Sequence, residues 1–200
     1  MSRRLLAYAV ATEGFLLVLA WLLGRLVAGG DVFARILPGP GVQPLLGSGL
    51  TGHILLGLAG AAGSAAVVLA ARAHWRVYRE SVDPIIDLLF SPLSLGALVV
   101  LSLAAGLAEE LFFRGVLQEV IGLVPAAALF AFLHWGFRKE LWGYGLTAFF
   151  LGLILGAVYQ WTSALLAPMV VHAGYNVIVS VKIKTSGGWG PIRPDHGRIR

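Results

Sequence analysis

The chain has no cysteine. Disulfides, a thiol nucleophile and cysteine metal sites are therefore excluded. It is also poor in charge: only 12% of its residues are Asp, Glu, Lys or Arg, where a soluble domain carries about 25%. The H-E-x-x-H helix of zinc peptidases is missing. Neither Ser102 nor Ser163 has a base beside it in sequence, so no serine is set up as a nucleophile. No internal repeat is visible, which argues against a carrier built from repeated halves.

What is present is apolar. Hydrophobic residues make up 58% of the 200, and the mean hydropathy is +0.84. This is the composition of a polytopic helical membrane protein, read as a single domain over 1–183 with a basic, disordered cytoplasmic tail over 184–200. The N-terminus, Met-Ser-Arg-Arg-Leu-Leu, faintly resembles a signal peptide, but the apolar run is long and reads as a retained first span. The net charge of +5 marks cytoplasmic loops rather than nucleic-acid binding.

About six spans are expected, each needing about 20 apolar residues. They run from about Leu5 to Ala28, Leu50 to Ala71, Leu93 to Val120, Val124 to Phe137, Leu141 to Trp161 and Ser163 to Ile183. The fourth is short for a crossing. Residues 29–49, with Pro38, Pro40 and Pro44, read as a surface loop. Gly57, Gly60 and Gly63 suit close packing of the second span. A loop comes next, with Arg72, His74, Trp75, Arg76, Tyr78 and Arg79 at headgroup level. Asp83-Pro84 reads as the cap and first residue of a short interfacial helix. His53 and His74 read as interface residues, and Glu13 and Glu119 as peripheral structural acids. Basic residues fall on alternate loops, which places both termini in the cytoplasm.

The polar residues inside the spans carry the functional reading. Residues 103–116 run Leu-Ala-Ala-Gly-Leu-Ala-Glu-Glu-Leu-Phe-Phe-Arg-Gly-Val. Glu110 and Arg114 are one helical turn apart, in the favoured order for an ion pair. Glu109 is rotated off that face. The fourth span brings Phe130 and His134, and the sixth brings His172 and Asn176, each pair again four apart. Charges in hydrocarbon are expensive and default to function. A carboxylate desolvated in a bundle is suited to move protons near neutrality, and Glu109 is the candidate base. His134 shares or shuttles the water's proton, and His172 with Asn176 can donate to an oxyanion. The chemistry is peptide or ester hydrolysis in a membrane cavity. A zinc ion on Glu109, His134 and His172 is the competing reading.

The three motifs together resemble the intramembrane proteases related to the CAAX prenyl endopeptidase, the CPBP or Abi family. Its pattern is Glu-Glu-x-x-x-Arg, Phe-x-x-x-His and His-x-x-x-Asn on three separate helices. Here these are Glu109-Glu110-Leu-Phe-Phe-Arg114, Phe130-Ala-Phe-Leu-His134 and His172-Ala-Gly-Tyr-Asn176, over about residues 93–181. The resemblance implies a metal-free glutamic endopeptidase with its catalytic core on the third, fourth and sixth spans. Glu109 and His134 would activate water, and His172 and Asn176 would form the oxyanion hole. Glu110, Arg114 and Phe130 would support them. It implies a membrane-associated polypeptide substrate and no cofactor. The charge pattern gives no nucleic-acid partner, and the Ala/Gly/Leu/Arg-rich composition is compatible with a bacterium, so a bacterial inner membrane is expected. Some relatives are linked to bacteriocin immunity and others to processing of sorting tails, so a non-catalytic immunity or scaffold protein stands as the alternative. The chain is shorter than the eukaryotic prenyl-protein enzymes, so a prenylated substrate is not carried over.

Overall fold

The computed structural model describes residues 2–39, 49–136 and 138–185. Regular structure among the described residues is entirely helical. The α-helices are α1 Ser2–Leu26, α2 Gly49–His74, α3 Arg76–Leu89, α4 Leu95–Phe112, α5 Gln118–Ile121, α6 Leu123–Trp135, α7 Trp142–Thr162 and α8 Leu166–Thr185. Short 3-10 turns lie at Val32–Arg35 and Lys139–Leu141, and a π-helical turn, Phe113–Leu117, joins α4 to α5. Pro40, Pro44 and the tail from 186 lie outside the described residues. The helix α8 continues two residues past the expected boundary at 183.

Five helices are long and apolar enough to cross a membrane: Arg4–Leu26, Gly49–His74, Leu95–Ile121, Lys139–Thr162 and Leu166–Thr185. With the shorter α6 they account for the six expected segments. Their outward faces carry Val67, Val100, Leu103 and Phe150, as a hydrocarbon solvent requires. At about 1.5 Å per residue, α6 is shorter than a bilayer core, yet it runs from one end of the bundle to the other. At one end Arg35 pairs with Glu119, and its backbone carbonyl accepts from Leu165 N–H at 2.8 Å. At the other, Trp75 packs on Trp142 with centroids 5.6 Å apart, and Lys184 Nζ donates to Ser91 O at 2.7 Å. The segment between α5 and α6 lies at the first end, and that between α6 and α7 at the second.

The helix α8 sits between α2, α4 and α7. Small residues let it approach. A Cβ on Gly57 or Gly60 would meet Val170 or Val171, and one on Gly106 would come within 2.8 Å of Ala173 Cβ. Gly63 departs from expectation: nothing lies within 4 Å of its virtual Cβ. Gly63 is exposed while Ala61 and Ala65 beside it are buried, so this glycine lies off the packed face of α2. Gly122 (φ +86°) breaks the chain between α5 and α6, and Gly136 (φ +58°) ends α6.

The largest correction concerns the stretch after α2. It is a helix rather than a loop. Tyr78, Val82 and Ile86 recur every fourth residue and are buried, so one apolar stripe holds α3 against the bundle. Pro84 lies inside the helix, where it removes one backbone bond. Asp83 does not cap it. Its carboxylate is buried and accepts Arg72 Nε at 2.8 Å and Nη2 at 2.9 Å. Burial holds the Asp83 carboxyl above its ordinary value, with Arg72 acting against that shift. His53 is likewise buried rather than interfacial, its Nδ1 donating to Gly49 O at 2.9 Å.

Candidate active site

Glu109 and Glu110 occupy the end of α4, and the π turn comes directly after them. The wide turn aims Arg114 into the bundle. Its side chain is 2% exposed and Glu110 is 0% exposed. At that depth each unmet hydrogen bond is costly; Glu110 Oε1 is doubly served, while its Oε2 is buried without a partner. Arg114 Nη1 donates to Glu110 Oε1 at 2.8 Å, and Nη2 donates to Gly152 O on α7 at 3.1 Å. The guanidinium also lies 4.8 Å from the Phe130 ring centroid, within cation–π range. Phe130 in turn stacks edge-on with Phe113.

One turn further, Gln118 repeats the clamp by donating to Gly156 O at 2.9 Å. Sequence reasoning missed Gln118. The signal was there: Glu110, Arg114 and Gln118 form a polar row with a spacing of four.

His172, on α8, places Nδ1 2.7 Å from Glu110 Oε1. The carboxylate takes this nitrogen's proton as a hydrogen bond. His134, on α6, places Nδ1 2.7 Å from Phe130 O. A carbonyl only accepts, so His134 carries its proton on Nδ1 and the neutral ring has a lone pair on Nε2. Both Nε2 atoms face Glu109. Its Oε2 lies 3.8 Å from that of His134 and 3.9 Å from that of His172. These gaps are wider than a hydrogen bond and of a size that one water bridges. Glu109 Oε2 is buried without a hydrogen-bond partner.

Glu109, His134, His172 and Asn176 line one end of a cavity of about 170 Å³. Asn176 lies one turn beyond His172. Tyr78, Tyr144, Thr147 and Tyr175 form the walls, and α3 closes over it with Val82 and Ile86. Tyr78 and Thr147 share a 2.6 Å hydrogen bond. Burial pushes the Tyr78 phenol up, so it stays a neutral group. The wall residues were not singled out from sequence, because aromatic residues in apolar helices read as core. The cavity extends to Arg72 and Ile183 at the end where the basic residues gather.

The expected site residues are thus brought together: Glu109, Glu110, Arg114, Phe130, His134 and His172 in one cluster, with Asn176 on the cavity wall. Glu119 is apart from it, paired with Arg35 at 3.3 Å, as expected of a peripheral acid. Glu13, on α1, has its Oε2 buried without a hydrogen-bond partner. Glu109, His134 and His172 are the side chains a metal ion would draw on. Among the described residues no group of three or more His, Asp or Glu has the arrangement of a cation site.

Fold and site together define a polytopic helical membrane protein with a buried Glu–Arg–His centre. The family described as "Type II CAAX prenyl endopeptidase Rce1-like" matches residues 91–178, which contain every member of that centre. The likeness to that family is carried by this segment. A Bacillus subtilis (strain 168) protein described as "Uncharacterized protein YpbD" is 34% identical over 96 residues, covering 48% of this chain and 50% of that protein. The match therefore spans about half the length of the curated relative. No solved structure matches the chain.

Proposed function

We propose that the protein is an intramembrane endopeptidase that hydrolyses a peptide bond of a membrane-associated polypeptide. The observation that carries this reading is the position of Glu109, with the Nε2 atoms of His134 and His172 at 3.8 and 3.9 Å. A water held between Glu109 and His134 is the nucleophile. Glu109 takes one of its protons as the oxygen attacks the carbonyl carbon. The carbonyl electron pair moves to oxygen, where His172 Nε2–H and the Asn176 amide donate to it. The C–N bond then breaks, and the proton held by Glu109 passes to the leaving amine.

The geometry sharpens the role of His172. Its Nδ1–H is committed to Glu110, so Nε2 has a proton to donate only when the ring is doubly protonated. Glu110 is the counter-charge for that state, and Arg114 holds Glu110 in place. His134, whose Nε2 lone pair faces Glu109, orients the water. This division of labour needs no metal, with zinc on Glu109, His134 and His172 as the alternative. By the positive-inside rule, the end that gathers Arg72, Arg76, Arg79, Arg138, Lys139, Lys182 and Lys184 is cytoplasmic, as are both termini, in a bacterial inner membrane. The cavity reaches towards that end.

The test compares wild type and Glu109→Gln in detergent against a library of membrane-tail peptides, with and without a chelator, read by mass spectrometry. Cleavage that survives the chelator and is lost in Glu109→Gln supports the glutamic mechanism. Chelator-sensitive cleavage restored by zinc moves the case to the metal. Equal cleavage by both proteins overturns the assignment of Glu109. A physiological role that Glu109→Gln leaves intact favours a non-catalytic scaffold.

A further inference from the structure

Between α2 and α7 the wall of the bundle is thin. The helix α2 packs chiefly on α8, and α7 chiefly on α6. Each turns a second stripe of side chains toward the other, from Gly63 to Ala71 on α2 and from Leu146 to Ile154 on α7. A groove of about 320 Å³ lies between the two stripes. Its rim is apolar and exposed at Val67, Phe150 and Ile154. These residues belong to crossing segments, so the groove opens to hydrocarbon. Nothing lies within 4 Å of where a Gly63 Cβ would stand, and the missing side chain widens the groove there. Val68, Tyr78, Thr147 and Leu151 line the groove and also line the active-site cavity. One layer of side chains therefore separates the bilayer from the space beside Glu109. A 2.6 Å hydrogen bond between Tyr78 and Thr147 ties that layer together. Thr147 donates its own proton to Gly143 O at 2.8 Å, so Tyr78 is the donor in the pair.

We propose that the α2–α7 groove docks the stretch of substrate next to the scissile bond, which enters sideways from the bilayer as extended, apolar polypeptide. Hydrolysis needs a peptide carbonyl that water can reach, and in a helix the carbonyls are bonded and covered by side chains. The stretch must therefore unwind. Each N–H and C=O freed in this way is costly in hydrocarbon unless it finds a partner. The groove supplies hydroxyls from Ser64, Tyr78 and Thr147 within an otherwise apolar lining. An acyl chain has no use for such partners, which favours a polypeptide as the occupant. Opening the layer conserves hydrogen bonds, because the Tyr78 O–H exchanges Thr147 for a substrate carbonyl. Each stripe spans eight positions, about 12 Å along a helix, which matches about four residues of extended chain. The end of the cavity at Arg72 and Ile183 is left for water. The docking role rests on the endopeptidase reading. The binding of an apolar peptide in the groove does not.

The chain has no cysteine, so a single introduced cysteine can carry a photoreactive benzophenone at a chosen site. Val67→Cys and Phe150→Cys place it on the groove rim, and Leu103→Cys places it on the lipid-facing side of α4. Each is made in the full chain with Glu109→Gln, to prevent turnover. The proteins are reconstituted in phosphatidylcholine nanodiscs with a biotinylated, Leu/Ala-rich transmembrane peptide. Capture of the peptide is expected to be several-fold higher at the two rim positions than at Leu103, and to fall when unlabelled peptide is added in excess. Equal capture at all three, or capture that excess peptide does not reduce, means that the groove holds lipid and overturns the proposal. A second pair of variants reads the consequence for turnover. Gly63→Trp fills the open space of the groove, and Gly14→Trp, on α1, fills an equally open one elsewhere. Both should melt as wild type does. With a cleavable peptide from the library, Gly63→Trp should raise KM several-fold with kcat retained, the signature of lost substrate binding. Gly14→Trp should change neither. An unchanged KM in Gly63→Trp overturns the proposal and leaves the endopeptidase reading standing. Rim-specific capture, with no peptide cleaved by wild type, counts against the endopeptidase reading and leaves the groove as a peptide-binding site.

Discussion

His172 Nδ1 lies 2.7 Å from Glu110 Oε1, the same oxygen that receives Arg114 Nη1 at 2.8 Å. One carboxylate oxygen thereby joins α4, the π turn and α8. Through Arg114 Nη2 the network reaches α7 at Gly152. The polar centre is a junction of helices as well as a site.

Breaking that junction should be costly. Arg114→Met leaves the buried Glu110 without its cation, and about 3–5 kcal/mol of stability should be lost. Replacing both partners by apolar residues removes the stranded charge. The double variant Glu110→Leu/Arg114→Met should therefore lose less than the sum of the two single variants. Denaturant unfolding in detergent measures both quantities.

The two histidines should separate in their effects. His134 is half-buried and hydrogen-bonds only a carbonyl of its own helix. His134→Ala should lower kcat by about 10²–10⁴-fold with a melting temperature close to wild type. His172→Ala should lower both, because Glu110 loses a donor that bridges helices. Paired activity and melting measurements on the two variants check this.

Gly106 sets how closely α8 approaches α4, with Ala173 Cβ 2.8 Å and Ala173 N 3.0 Å from where a Cβ would stand. Gly106→Val should cost about 1–3 kcal/mol by overpacking. Ala173 adjoins His172, so any shift of α8 is felt at the site. The rate should fall further in Gly106→Val than in a lipid-facing control such as Leu103→Ala.

The Asp83 carboxyl is held above its ordinary value chiefly by burial. An acid raised on folding binds its proton more readily in the folded state. Its contribution to stability is complete below the unfolded value and is lost as pH rises through the folded one. Wild type should therefore gain on Asp83→Asn as pH falls from neutral into the acid range. Melting temperatures of the two proteins across that range test the sign. The opposite trend would mean that the Arg72 pair outweighs burial.

Much of this architecture is written locally. Apolar runs long enough to cross give the spans, and the spacing of four gives the Glu110–Arg114 pair without any knowledge of the fold. Convergence of Glu109, His134 and His172 is expected from charges at a common depth in different helices. Other features depend on neighbours that a linear reading does not supply. Pro84 reads as a helix start because proline favours that position, yet here the buried stripe of Tyr78, Val82 and Ile86 carries α3 through it. Asp83 reads as a cap because its partner, Arg72, lies on the preceding helix. Glu13 reads as an isolated acid because nothing in its own span shows that α1 lies beside α4. The bridge from Glu110 to His172 spans 62 positions and is a fact of packing alone.

The π turn at Phe113–Leu117 carries a consequence for chain length. An α-helix advances by about 100° per residue, and this turn accommodates one residue more than a regular one. Removing a residue from 113–117 would allow a plain helix to form and would rotate α5 relative to Glu109 and Glu110. Arg114 and Gln118 would then lose the carbonyls of Gly152 and Gly156 together. The segment acts as a register mark: it fixes the phase between the carboxylates on one side and the clamp onto α7 on the other. It should tolerate changes of side chain far better than a change of one residue in length.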